Sequence, residues 1–312
     1  MRIKDKIKRP RRPVVVYEIL PPREKDGTLN SYAASISSLL SQTHIDAINI
    51  PEVRDEVARG KRPVKNKLRA EPREFGKLLQ DIIGIESIVN RVVVHQDLDK
   101  EMTWFEETYN KYEIENLIAV GGESRKITYP GPSVNQALKA IKQNIKLDIL
   151  CGGISIPSRE KESLKLIQKS ENGSEFFTTQ VLYDSSKIIK MISHYQKRCD
   201  EQKTFPRRLL LSFAPVSSKK NIDFLKWLGV DISTNTEMYL NEYPQKMADR
   251  SMEISTNVLN DILKYLNENK IVVPIGLNVE HIMSYNFQYS INMLQELSKI
   301  YREFCIKTSL YD

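Results

Sequence analysis

The chain has 312 residues, 40% of them hydrophobic and 28% charged, with three cysteines and a formal net charge of +7. A prior of about 150 residues per domain suggests two domains, whereas a closed α/β barrel takes roughly 200–250 residues or more as one unit. Disorder as the main state is excluded, no apolar run approaches the roughly 18 residues of a membrane span, and there is no apolar signal core at the N-terminus. Cys151, Cys199 and Cys305 are isolated and form no CxxC pair. The expectation is a soluble, non-secreted, cytoplasmic protein without a disulfide scaffold or zinc knuckle.

Residues 1–12 carry seven basic side chains against Asp5, so the remaining 300 residues are close to neutral. A nucleic-acid-binding domain carries its basic face on the folded body. Here the excess sits on an arm, which reads first as a solvated tail and second as a segment touching RNA or a partner.

Beyond the arm, a short β-branched run is followed repeatedly by a longer amphipathic stretch. Val14–Leu20 reads as a strand and Leu29–Gln42 as a helix; Ala47–Ile50 is the second strand, with Pro72–Gly84 as its helix after a long basic loop. Arg91–His95 is the third strand, followed by Lys100–Tyr112, and Leu117–Val120 the fourth, followed by Ser133–Asn144. Leu147–Cys151, Phe176–Thr179, Leu209–Phe213 and Ile271–Ile275 complete the strands. Their helices are Arg159–Ser170, Ser185–Gln202, Ser217–Trp227 and Ile282–Arg302, with one extra near Asp249–Asn267. This alternation predicts parallel strands buried on both faces, in a single (β/α)8 TIM-type barrel rather than an open doubly wound sheet. No Gly- or Pro-rich linker divides the chain, so it reads as a basic arm over 1–12 and one barrel domain over 13–305.

In such barrels chemistry sits where strands run into helices. The polar residues there are Glu18, Asn49 with Glu52, His95 with Asp97, Gly121–Glu123, Gly152–Ser155, Thr178–Gln180 with Asp184, Ser212 with Ser217, and Asn278 with Glu280. Glu18 is the sharpest, a carboxylate inside VVVYEIL just before a rigid Pro-Pro stop. It is either buried with a cationic partner or faces a cleft, where desolvation would suit it to general acid work. Gly121 and Gly122 permit close backbone approach to a flat or phosphorylated ligand, and Glu123 can accept from ring N–H groups or ribose hydroxyls; an ordinary Gly-Gly turn explains them equally. The Gln180 amide offers a donor and an acceptor to a pterin or flavin edge, or simply satisfies loop backbone.

There is no GxGxxG, GxxxxGK[ST], HExxH or GxSxG, which disfavours dinucleotide-type Rossmann domains, P-loop hydrolases, metal sites and Ser hydrolases. The loop with Lys61, Arg62, Lys65, Lys67 and Arg69 reads as solvated, or as a greeting for an anionic ligand tail.

Taken in order, the strand ends resemble those of the methylenetetrahydrofolate reductase family. YEILPP resembles its [FY]E-x-x-PP opening, IAVGGES its strand-four segment, and TYPGPSV, with Tyr129, the tyrosine-containing stretch that follows. Gly152–Asp184 resembles the long segment ending in TQ-x-x-[FY]D, FAPVSSKKNIDFL the strand-seven exit, and GLNVEHI the terminal x-x-LN motif. The resemblance is collinear over nearly the whole chain and implies a (β/α)8 barrel. It further implies reduction of 5,10-methylenetetrahydrofolate to the 5-methyl form, with hydride from NAD(P)H passing through FAD.

Carried over by position, Glu18 is the general acid, and Gln180, Glu123 and Asn278 contact the folate. Gly121, Gly122, Glu123, Tyr129, Gly152, Gly153 and Ser155 serve the cofactor, and no metal is expected. The departures fall mostly on the cofactor side: His95 stands where the family has a cysteine, NIPE replaces its T-Y-GA segment, ISIPSR lacks its histidine, and LNVE lacks its arginine. A folate-type substrate is thus better supported than FAD. Rival readings are a pterin-binding barrel acting in methyl transfer and a non-catalytic partner subunit without flavin. A homo-oligomer is compatible with either; a membrane partner is not, and nucleic acid is disfavoured.

Overall fold

Eight parallel strands close into a barrel in chain order in the computed structural model, which describes residues 1–55, 60–64, 67–124 and 126–308. They are β1 (Val15–Ile19), β2 (Ala47–Ile50), β3 (Ser87–Val92), β4 (Asn116–Val120), β5 (Leu150–Ser155), β6 (Phe176–Thr179), β7 (Arg208–Phe213) and β8 (Ile275–His281), with β8 returning to pair with β1. Around them lie α1 (Ile3–Ile7), α2 (Leu29–Leu40), α3 (Pro72–Ile83), α4 (Leu98–Asn110), α5 (Val134–Asn144), α6 (Glu162–Glu171), α7 (Ser186–Glu201), α8 (Lys219–Trp227), α9 (Thr234–Glu242), α10 (Met247–Glu268) and α11 (Phe287–Lys307). The architecture is the single (β/α)8 barrel that the alternation predicts.

Local chemistry sets the helix starts. The side chains of Thr28, Asp97 and Ser133 accept from the first-turn amides of α2, α4 and α5, and Glu71 does so ahead of Pro72 in α3. Each satisfies donors that a helix otherwise leaves open.

Alternation along each strand divides the core in two. Val14, Val16, Ala47, Ile88, Ile118, Leu150, Phe176 and Leu210 fill the barrel, while Val15, Tyr17 and Ile19 face the helix layer with Leu40, Phe75, Leu259 and Leu297. Tyr17 fixes this outer register, its hydroxyl lying 2.7 Å from Ser290 Oγ and its ring edge-on to Phe287. Glu18, between Tyr17 and Ile19, therefore faces inward.

Three expected strands are displaced. β3 begins at Ser87 and ends before His95, β5 runs from Leu150 through Ser155, and β8 spans Ile275–His281 rather than Ile271–Ile275. The last two contain glycine or polar residues where a period of β-branched residues is sought, because the upper interior of the barrel is polar and one place needs no side chain at all. A Cβ on Gly152 would stand 2.5 Å from the Phe176 ring, which occupies the barrel centre in its place. The helices α1 and α9 are additional to those expected.

The solvated-tail reading of residues 1–12 is corrected by the packing of α1 against the barrel floor. Ile3 and Ile7 are buried there. Lys4 pairs with Asp148, Lys6 with Asp46, Lys8 with Glu175 at 2.7 Å and Arg2 with Glu115 at 3.1 Å, while the Ile3 amide donates to Glu86 at 2.9 Å. Those five acids stand at the entrances of β2 to β6. Arg208, 1% exposed, donates to the carbonyls of Ile7, Arg9 and Ile275 and so ties the segment to β7 and β8. The basic excess is matched to an acidic ring, which a charge sum over the arm alone conceals.

Candidate active site at the barrel mouth

Glu18 sits on β1 opposite Glu280 on β8. Both keep a minor part of their surface open and are otherwise enclosed by the barrel wall. Asn49 Nδ2 donates to Glu18 Oε2 at 2.6 Å, and Asn278 Nδ2 lies 3.3 Å from Glu280 Oε1 and 3.0 Å from Ser212 Oγ. Among the described residues, no lysine or arginine forms an ion pair with either carboxylate, so the structural ion pair weighed for Glu18 is not what holds it. Burial pushes Glu18 up to about 7, with the Asn278 and Asn49 amides opposing. Burial first, and the neighbouring Glu18 second, hold Glu280 well above the ordinary carboxylate range.

The surrounding wall is rich in acceptors. Asn49, Asn90 and Asn278 are 1%, 7% and 0% exposed, and the amide oxygen of each lacks a hydrogen-bond partner. All three side chains project inward by the same alternation that places Val16, Ala47 and Ile88 inside. A buried amide oxygen without a donor is costly, and three on one rim mark the mouth as the candidate site.

Asn278 and Glu18 are thus brought together. Glu280, noted in sequence only as a polar residue beside Asn278 and given no role, completes the group; its signal was a second acid on the inward face of the strand that closes against β1. Gln180 goes elsewhere. Its Nε2 donates to the Leu228 carbonyl at 2.9 Å, and it lines a shallow crevice with Pro157, Ser158, Asp184, Lys187 and Asp231. The backbone-satisfying alternative describes what it does.

The cofactor set divides likewise. Gly152 is spent on Phe176, Gly153 packs against Phe177 and Ser174, and Ser155 turns outward with Oγ 3.2 Å from Met191 Sδ. None of the three lies in a loop facing the mouth, because β5 extends through all of them. The expectation that they serve a cofactor at the mouth is therefore corrected. Gly121, Gly122, Glu123 and Tyr129 do share the loop after β4. There the Tyr129 ring lies so close over Gly122 that a Cβ would stand 2.3 Å from it. His95 meets Tyr129 edge-on at 5.5 Å, and burial, with Arg54 adding to the effect, lowers its pKa below the ordinary imidazole value. One loop does not make a cradle of FAD length, and the residues present do not fit that group.

The basic loop after β2 reaches across to α8. Arg62 stacks on Phe224 and Trp227, with its guanidinium 5.3 and 5.1 Å from the ring centres, and Trp227 Nε1 donates to the Gly60 carbonyl at 3.3 Å. Arg69 donates to the Pro21 carbonyl at 2.6 Å; Lys65 lies outside the described residues. No group of three or more metal-ligating side chains occurs among the described residues, and no described helix is long and apolar enough to cross a membrane.

No protein-family model matches the chain, and no curated protein matches it. Among solved structures, it is similar to an uncharacterized protein from Clostridium thermocellum that binds two copies of 5-methyl-5,6,7,8-tetrahydrofolic acid. That match has a TM-score of 0.79 at 22% identity and covers 96% of this chain and 99% of the other. N-(5'-phosphoribosyl)anthranilate isomerase from Pyrococcus furiosus matches with a TM-score of 0.44 at 8% identity, covering 91% of this chain and 99% of its own. An aldo-keto reductase from Bombyx mori in complex with NADP gives 0.48 at 8% identity, covering 94% and 89%. The chain is a single (β/α)8 barrel, and it shares that fold almost end to end with the protein from Clostridium thermocellum.

Proposed function

We propose that the barrel mouth binds a reduced one-carbon folate, and that Glu18 supplies the proton for reduction of 5,10-methylenetetrahydrofolate to the 5-methyl form. One observation carries this reading: two largely enclosed carboxylates, with no lysine or arginine paired to them among the described residues, stand among three amide oxygens without donors. A reduced pterin presents the complement, a row of donors in its 2-amino group, N3–H and N8–H. The similar barrel from Clostridium thermocellum, which binds 5-methyltetrahydrofolate, supports the same ligand class.

The chemistry follows from the protonation state. A carboxyl held near neutrality is a competent acid at physiological pH. As the five-membered ring opens, the C–N10 bond breaks with its electron pair on N10, and Glu18 gives its proton to that nitrogen. The N5 lone pair forms the C=N bond, leaving an iminium cation beside carboxylates that stabilise it. Hydride from NAD(P)H, as co-substrate, would complete the reduction. Flavin has no part in this proposal, because its expected contacts are used for packing. A methyl-transfer barrel is the second reading, favoured by the 5-methyl form bound in the similar structure; a protonated acid near the pterin would assist departure of its methyl group equally.

The test is binding followed by turnover. Purified protein titrated with 5-methyltetrahydrofolate should quench tryptophan or tyrosine emission saturably. NAD(P)H should then be oxidised on adding 5,10-methylenetetrahydrofolate. Binding without oxidation would select methyl transfer, a yellow preparation bleached by NADH would restore the flavin route, and no binding of either folate would reject the reading.

A further inference from the structure

We propose that Glu18 and Glu280 function as one acid that holds a single proton between them, with Glu280 the positioning residue that keeps this proton available on Glu18. This deepens the proposed function, on which its catalytic half rests.

The argument is geometric. Glu18 and Glu280 are direct partners across the β1–β8 seam. Neighbouring strands lie about 4.8 Å apart, and both side chains project to the same inward face. Asn278, two residues before Glu280 on that face, donates to Glu280 and reaches Glu18 as well, so one amide spans the pair. Two carboxylates at such spacing, partly desolvated and with no cation paired to them among the described residues, do not ionise together at neutral pH; one proton remains. Their titration belongs to the pair, in two separated steps.

Among the described residues, neighbouring elements pair no charged side chain with either carboxylate. Asn49 and Ser212 face the pair from β2 and β7 and do not titrate. Tyr183 is the other titratable group whose field reaches Glu280; burial keeps it protonated far above neutrality, with its hydroxyl donating to the Ala214 carbonyl at 2.7 Å. His281, next in the chain, faces outward against Phe287.

With one proton the pair carries a single negative charge when substrate arrives. Delivery to N10 leaves it doubly negative as the iminium cation forms, so the repulsion that holds the proton beforehand becomes attraction for the intermediate. Uptake from solvent restores the proton after product leaves. A lone carboxyl in the same place would be ionised more fully at neutral pH and would have less to give.

Difference infrared spectroscopy of the ligand-free protein across pH 3–9 tests the pair without reference to folate. The wild type should show a protonated-carboxyl carbonyl band that disappears in two separated steps, the upper near neutrality. Glu18→Gln and Glu280→Gln should each abolish the upper step and move the surviving carboxyl at least tenfold in proton affinity towards the ordinary range. Glu280→Met serves as a second variant should the amide perturb folding. If either substitution leaves the other carboxyl titrating as in the wild type, or if no carboxyl titrates above pH 6, the shared proton is overturned.

In turnover, Glu280→Gln should retain folate affinity within a few-fold while the alkaline limb of kcat/KM moves down by a pH unit or more. A uniform loss at all pH values would overturn the positioning role. Failure of the folate reading would remove this second arm and leave the infrared result standing.

Discussion

The two ends of the barrel treat charge in opposite ways. At the floor, every acid at the entrances of β2 to β6 meets the basic N-terminal segment, and the buried Arg208 is bonded to five backbone carbonyls. At the mouth, two carboxylates face each other with only amide and hydroxyl partners among the described residues, and three amide oxygens have none. Satisfied polar groups stabilise a fold, whereas unsatisfied ones lower its stability and persist where a ligand meets them. The contrast is one of charge within one continuous interior: the floor gives its acids cationic partners, and among the described residues the mouth does not.

The largest expected effect breaks the comparison at the mouth. Glu18→Gln should reduce folate turnover by about 10³-fold, within the usual range for a general acid, while leaving folate affinity within a few-fold. The same substitution removes a carboxyl that is hard to ionise and should raise the melting temperature by about 2–6 °C at pH 8, read by calorimetry. Loss of activity together with loss of stability would place Glu18 among the structural residues.

The floor responds inversely. Arg208→Met removes the buried donor that the carbonyls of Lys6, Ile7, Arg9, Pro10 and Ile275 share, at a cost of about 3–5 kcal/mol in denaturant unfolding. The folded fraction should bind folate unchanged.

A third test uses opposing pH slopes. His281, buried on the outer face of β8, is pushed down to about 4, chiefly by burial. As pH falls from 6.5 to 4, the unfolded chain takes up a proton that folded His281 refuses, so about 3 kcal/mol of stability is lost over that window. Glu18, raised from 4.5 to about 7, acts the other way. The unfolded chain releases a proton that the folded mouth keeps, so stability of about the same size is lost as pH rises through 4.5–7. In the wild type the two oppose each other, and Glu280, raised in the same direction as Glu18, adds to the loss of stability as pH rises. His281→Phe should expose the falling limb and Glu18→Gln the rising one, and parallel profiles in both variants would contradict the assignment.

The smallest effect sharpens the division inside the mouth itself. Gly152→Ala should cost about 1–3 kcal/mol by pressing on Phe176, and leave folate affinity of the folded protein intact. A selective loss of ligand binding would return Gly152 to the ligand's surroundings.

Much of this was legible before any coordinates. Alternation of short apolar runs with amphipathic stretches gave the barrel, because a strand buried on both faces leaves a plain hydrophobic signature. Glu18 stood out because an acid within VVVYEIL contradicts that signature. Glu280 did not, since LNVEH mixes polar and apolar residues and hides a strand whose inner face is itself polar. Gly152 and Gly153 read as a loop because glycine is a poor strand former, and only the Phe176 ring reveals why one is needed there. The arm read as solvated because its acidic partners are scattered one by one along the chain, from Asp46 to Glu175.

The seating of the basic segment also orders events in time. Residues 6–10 leave the ribosome some two hundred positions before Arg208, the side chain that clasps their carbonyls, and longer still before Ile275 supplies the last wall. Until then a strongly cationic stretch with two bare isoleucines trails from an unfinished cylinder, close to the polyanionic surface of the machine that is making it. The segment can therefore take its final seat only after β7 and β8 have been made.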